Sequence, residues 1–275
     1  MHHEEHFRGK SCVITGAASG IGFAVTAALL KAGAVVFMAD LDKERLSSAI
    51  EQLDAHVGRL HSMAVDVTDP QQVQQLIANA ASQHGSLDFL FNNAGVGGTL
   101  PIEQATLEHW RRIFDLNLWG VIYGIDAALP VMRRQGSGHI VNTASLAGLI
   151  PLPFQVLYCT TKAAVVALSE SLRIELGDEE IHVSVVCPGN VVSRIWGTPI
   201  LGQRIDVKPP DDAIPAEEAA RIILAGVAEG QGIIALPEEI RLTWRRYWAC
   251  PEEGEQDLRE LARQRRSAFR SGGSI

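Results

Sequence analysis

Tyr158 and Lys162 stand four residues apart in the run Tyr158-Cys159-Thr160-Thr161-Lys162. On a helix this spacing puts both on one face, a turn apart. A tyrosine of pKa about 10 is a poor base at neutral pH. A fixed ammonium close by favours the phenolate and lowers that value, which makes the phenol a usable general acid and base. The bland alternative is a tyrosine ring packed on a lysine stem.

A second chemical signal lies near the N-terminus. The run Thr15-Gly16-Ala17-Ala18-Ser19-Gly20-Ile21-Gly22 separates an apolar run from a helical pattern. Its glycines follow GxxxGxG and not GxGxxG. Either spacing permits a tight turn, and the amides that open the next helix can then face a pyrophosphate. Asp40 closes the second apolar run, 18 residues past Gly22. A carboxylate there can accept hydrogen bonds from both ribose hydroxyls of an adenosine and would repel a 2′-phosphate. Ser19 and Leu41 flank the site without positive charge, so NAD is expected over NADP. Asp40 could instead cap the helix that follows, a role open to Asp42. Asp66 either meets the adenine edge or is an ordinary turn residue.

The elements that must position these groups alternate between two patterns. Short β-branched runs at 11–14, 34–39, 60–65, 87–91, 139–143, 183–187 and 233–236 read as buried strands. Helical spacing runs through 21–30, 69–84, about 107–134 and about 157–176, with Asp69-Pro70 as a start signal and Gly177 as a stop. Nearly all-apolar strands separated by helices imply a parallel sheet covered on both faces. A single α/β domain of about seven strands is expected over 10–240, after a flexible tail at 1–9. The breaker-rich stretch 190–215 reads as a lid. Residues 241–275 read as a helical extension whose interleaved Arg and Glu suit a solvated face or a subunit contact.

Composition narrows the classes. The 275 residues are 47% apolar and 20% charged, with a net charge of −8 and a pI of about 5.6. An acidic surface argues against a nucleic-acid or anionic-lipid binder. No run of 18 apolar residues suggests a membrane-spanning helix. The four cysteines form no CxxC, and Cys12 and Cys187 lie in apolar runs, which fits buried thiols in a reducing cytoplasm. His2, His3 and His6 could bind a metal, but a mobile tail is the expectation; no zinc-type Cys/His spacing is present, and no metal is expected.

Further residues join these signals in order: Asn92-Asn93-Ala94-Gly95 after the fourth strand, Asn117, Ser145 at 13 residues before Tyr158, and Pro188-Gly189 after the sixth strand. The ordered set, from about Lys10 to Ser193, resembles the short-chain dehydrogenase/reductase family. The resemblance implies a doubly wound, Rossmann-type sheet and a nicotinamide cofactor. It also implies a homotetramer or homodimer, with the helices of Asn117 and Tyr158 in the subunit contact. It assigns proton exchange with the substrate oxygen to Tyr158. Lys162 would tune Tyr158 and bind the nicotinamide ribose, Ser145 would orient the carbonyl or alcohol, and Asn117 would hold a water linking Lys162 to solvent. On their own, Ser145 could merely cap a turn and Asn117 could be a polar bend. Cofactor contacts are implied for Gly16, Ser19, Gly20, Ile21, Gly22, Asp40, Asp66, Val67, Asn93, Ala94, Gly95, Tyr158, Lys162, Pro188, Gly189, Val191 and Ser193. Ser193 replaces the threonine of the family's PGxVxT motif and keeps its hydroxyl. The resemblance thins beyond Ser193.

The substrate wall is expected from Val96–Leu100, Leu146–Gln155 and the lid. Leu149, Ile150, Leu152, Phe154, Ile195, Trp196, Ile200 and Leu201 suit an apolar or ring-bearing alcohol or ketone, with Gln155 and Arg194 for polar specificity. Several of these could instead pack the lid down or face another subunit. A mostly oxidised NAD pool favours alcohol oxidation. Two rival readings remain. One is a ketoacyl-type reductase whose acyl-carrier partner docks on Arg111, Arg112, Arg133 and Arg134. The other is a non-enzymatic NAD-responsive binding protein.

Overall fold

The computed structural model describes residues 2–53, 58–201 and 208–270. Its strands are β1 (Ser11–Thr15), β2 (Val35–Asp40), β3 (Leu60–Ala64), β4 (Phe89–Asn92), β5 (Gly138–Thr143), β6 (Ile181–Pro188) and β7 (Ile233–Leu236). Its helices are α1 (His2–Phe7), α2 (Gly20–Lys31), α3 (Lys43–Gln52), α4 (Pro70–His84), α5 (Leu107–Phe114), α6 (Gly120–Gln135), α7 (Val156–Glu175), α8 (Ala216–Ala228), α9 (Glu238–Ala249) and α10 (Pro251–Arg270).

The strands form one parallel sheet in the order β3-β2-β1-β4-β5-β6-β7. Successive side chains of a strand point to opposite faces, and both faces of β1 are covered. Cys12 and Ile14 pack with Leu29, Leu30 and Ile223 of α2 and α8. Val13 packs on the other side with Leu76, Ile77, Met132 and Val165 of α4, α6 and α7. Two-sided burial is why the strands read as continuous apolar runs. The start and stop signals of α4 operate as written: the Asp69 carboxylate accepts from the amides of Gln71 and Gln72, Pro70 opens the helix, and Gly85 closes it at φ 83°. This is the expected doubly wound α/β fold.

Three elements differ from expectation. The first residues are not a tail: α1 forms because Phe7 finds a place in the core, 1% exposed and 5.1 Å from the Phe89 ring. The expected helix 107–134 is broken by a π-helical turn, Asp115–Trp119, between α5 and α6. Helix α8 was not expected. Of the lid, residues 202–207 lie outside the described residues, as do 271–275 of the extension. Among the described residues no helix is long and apolar enough to cross a membrane.

Candidate active site

Strand order reverses between β1 and β4, and the turns leaving β1, β4, β5 and β6 meet at the carboxyl edge. Thr15 ties the first two together. Its hydroxyl accepts from the amides of Asn93 (3.0 Å) and Ala94 (3.1 Å), while the Asn93 amide donates to the carbonyls of Thr15 (3.0 Å) and Gly16 (3.3 Å). Gly16 sits at φ 63°, and a Cβ on Gly22 would lie 2.2 Å from the Gly16 carbonyl oxygen. Only glycine allows that approach. Gly20 meets Ser193 in the same way, at 2.9 Å, which brings the segment after β6 against the glycine turn.

This cradle fits a dinucleotide. Ser19 precedes α2 but its side chain caps no amide, and the first turn of α2, with Ile21 in it, carries no acid. The amides there are left for an anion. Asp40 is held at the turn by the amides of Ala18 (3.1 Å) and Asp42 (3.2 Å). Asp42, and not Asp40, caps α3, accepting from the Arg45 amide. Asp66 accepts from the amide and hydroxyl of Thr68, so it builds its own turn. Val67 is buried against the Gly120 position, which leaves chiefly its backbone for a ligand.

Tyr158 and Lys162 share a face of α7, with the Lys162 ammonium 5.7 Å from the centroid of the phenol ring. Lys162 is 4% exposed and donates to the Thr143 carbonyl at 2.8 Å. Burial pulls its pKa down to about 8. Tyr158 is half-buried, and burial pushes its phenol up to about 12, outweighing the lowering effect of the nearby Ser145 side chain. The expected direction is therefore reversed. Desolvation outweighs the ammonium, which is committed to a carbonyl, and the phenol of the free protein is neutral.

Ser145 stands at the end of β5. Its hydroxyl accepts from the Ala147 amide (3.2 Å) and donates to the Pro188 carbonyl (3.4 Å), which joins it to the Pro188-Gly189 turn. Asn117 lies in the π-helical turn, where such irregularities commonly mark function, and is fully buried. Its side chain accepts from the Val96 amide (2.9 Å) and donates to the Val96 carbonyl (3.0 Å). A Cβ on Gly95 would lie 3.0 Å from the Asn117 oxygen and 3.6 Å from the Lys162 nitrogen, so these groups face each other across Gly95. Val191 is buried, and its carbonyl accepts from the Trp196 indole at 3.0 Å.

The apolar wall is largely packed shut. Ile200 of the lid and Leu157 bury against Ile113, with Tyr158, Val96 and Leu201 alongside. Leu149, Ile150 and Phe154 are also buried, and Gln155 donates to the Thr99 hydroxyl. The arginine patch is weaker than its sequence, because Arg133 forms a two-pronged bond with Glu179. Two residues at the site were given no site role in the sequence. Thr143 supplies only a carbonyl, which no side-chain pattern announces. Cys187 lies beside the Ser145 amide, and burial pushes its thiol up to about 12.

A doubly wound sheet with an uncapped glycine turn beside a buried Tyr-Lys pair defines a nucleotide-binding oxidoreductase scaffold. The short chain dehydrogenase family model matches residues 10–199, and the chain belongs to that family. It is 38% identical over 189 residues to 1-deoxy-11-beta-hydroxypentalenate dehydrogenase of Streptomyces avermitilis, covering 68% of this chain and 70% of that one. It is 34% identical over 181 residues to the 3-oxoacyl-(acyl-carrier-protein) reductase FabG of Thermotoga maritima, covering 66% of this chain and 74% of that one. A short-chain dehydrogenase/reductase of Burkholderia phymatum, solved in complex with NAD, superposes with a TM-score of 0.80 at 30% identity, covering 87% of this chain and 92% of that one.

Proposed function

We propose that this oxidoreductase uses NAD to interconvert a secondary alcohol and a ketone, with an apolar or ring-bearing substrate. The observation that carries the reading is the cluster at the carboxyl edge. Tyr158 stands beside Lys162 and near Ser145, and Asn117 lies across Gly95 from that lysine. Tyr158 exchanges the proton with the substrate oxygen. Ser145 holds that oxygen, and Lys162 sets the charge beside the phenol. Asn117 fixes Val96 and would hold the water that leads from Lys162 to solvent. The glycine turn, Asp66, Val67, Asn93 to Gly95 and the segment from Pro188 to Ser193 would hold the cofactor. When bound, it supplies the hydride acceptor or donor.

Asp40 supports NAD over NADP, since its carboxylate faces the turn and Asp42, not Asp40, serves the helix. The NAD complex of the Burkholderia relative agrees with this. The enclosed aliphatic and aromatic wall supports an apolar substrate, as the hydroxypentalenate dehydrogenase relative does. Exposed Leu107, Trp119, Val156 and Ile174 on the α5–α7 face support a homodimer or homotetramer. Four free cysteines support a reducing, cytoplasmic setting.

The test is Tyr158→Phe, assayed with NAD and a panel of secondary alcohols while following reduced-nicotinamide absorbance. Turnover should fall by about a hundredfold or more, with the NAD Kd changed less than about twofold. Retained turnover removes Tyr158 from proton transfer. Wild-type protein that binds NAD but turns over no alcohol or ketone supports a binding protein instead.

A further inference from the structure

The family match ends at residue 199, yet the chain continues into α9 and α10. Neither helix fully buries a side chain, and their ion pairs, such as Arg259–Glu255 and Arg263–Glu260, are exposed and contribute little. Their directed contacts converge on one irregular segment, 149–154. The Trp248 indole donates to the Leu149 carbonyl at 2.9 Å. The Arg265 guanidinium donates to the Pro153 carbonyl, 112 residues away in the chain. Arg266 lies over the Phe154 ring, 5.4 Å from its centroid, and reaches Glu103 at 3.7 Å. At the other end of the pair, Ile240 occupies the space over Gly189, where a Cβ would meet it at 2.5 Å.

The segment needs outside donors. Pro151 and Pro153 have no N–H, and the Leu152 amide finds only the Cys159 sulfur. Phe154 is held at φ 65°, which L side chains rarely adopt and which persists only when neighbours enforce it. Its carbonyl accepts from the Leu100 amide at 2.7 Å. That bond ties the segment to 96–100, whose first residue Asn117 holds. The same segment leads into α7 and ends three residues before Leu157 and four before Tyr158 in the walls described above.

We propose that α9 and α10 form an intramolecular clamp on the substrate wall, with Arg265 and Trp248 as positioning residues that select ring-bearing over small alcohols. The selectivity half rests on the proposed function; the clamp does not. The variants are Arg265→Met, which keeps the stem and removes the donors, Arg265→Lys, which restores one donor, and Trp248→Phe, which keeps a ring. Amide exchange is followed by mass spectrometry on cofactor-free protein, and turnover is measured with 1-indanol and 2-butanol. Arg265→Met and Trp248→Phe should speed exchange at least fivefold in 149–155 and 96–101 while leaving the β1–β4 strands within twofold, and Arg265→Lys should recover most of the protection. Arg265→Met should raise KM for 1-indanol about tenfold and shift KM for 2-butanol and both kcat values less than twofold. Unchanged exchange, or exchange accelerated equally across the sheet, overturns the clamp. Local acceleration with an unchanged 1-indanol KM overturns its role in selectivity. If wild-type protein turns over neither alcohol, the functional reading fails, and the exchange data still decide the clamp.

Discussion

Lys162 is an expensive residue for the fold. It is 4% exposed and has one neutral partner, the Thr143 carbonyl, and burial moves its pKa from 10.5 to about 8. That displacement corresponds to about 3 kcal/mol. The sign follows from linkage. Between about 8 and 10.5 the unfolded chain binds a proton that the folded chain does not, so this group makes stability rise with pH across that window. Below about 8 both states hold the proton and the full penalty stands. Lys162→Met removes the charge and keeps most of the stem. It forfeits the bond to Thr143, worth about 1 kcal/mol, so the cofactor-free variant should be about 2 kcal/mol more stable at pH 7 while losing turnover. Urea unfolding of both proteins from pH 7 to pH 10 measures this. Tyr158 and Cys187 are pushed up and act oppositely at alkaline pH, so the informative quantity is the difference between the two proteins. That difference should shrink by about 1.4 kcal/mol per pH unit above 8. A Met variant no more stable at pH 7, with a parallel pH dependence, would refute the buried-charge argument.

Two other outcomes follow from the site. Asp40→Asn keeps an acceptor and removes the charge that repels a 2′-phosphate; the NADP-to-NAD ratio of kcat/KM should rise at least about tenfold, the scale of one charge-assisted hydrogen bond, and an unchanged ratio takes cofactor choice away from Asp40. Alcohol oxidation should keep accelerating above pH 8 because the phenol must lose its proton, whereas ketone reduction should be fastest near neutrality; paired pH–rate profiles with a plateau below pH 7 for oxidation would contradict a phenol raised by burial.

What could be read from the chain follows the range of the interactions. Two-sided burial writes itself into the central strands, and the seven strands and their parallel arrangement were legible. The Tyr158–Lys162 face is local helix geometry and was legible too. The direction of the Tyr158 shift was not, because desolvation depends on enclosure by Ile113, Ile200 and their neighbours, brought together from three segments. Nor was the break at Asp115–Trp119, since the residues 107–134 keep a helical apolar pattern through it. Phe7 reads as one aromatic in a charged tail until Phe89 is beside it. Arg265 looks like its exposed neighbours, and only a carbonyl 112 residues away distinguishes it.

The ionisation of the pair belongs to the assembled site and not to the protein alone. In the free protein the amine near 8 is the stronger acid and the phenol near 12 the weaker. At neutral pH the resident state is ammonium beside neutral phenol, which is a proton donor poised for a ketone oxygen. Working as a base at pH 7 requires bringing the phenol down five pH units, about 7 kcal/mol. A unit positive charge at roughly 4 Å in protein surroundings contributes about 4 kcal/mol, so a cationic ring in the cleft would offset more than half of it and leave the remainder to pH. Ser145 already lowers the phenol's pKa, and the Lys162 ammonium is engaged by the Thr143 carbonyl. The burial that makes Lys162 costly to fold also disfavours ionisation of Tyr158.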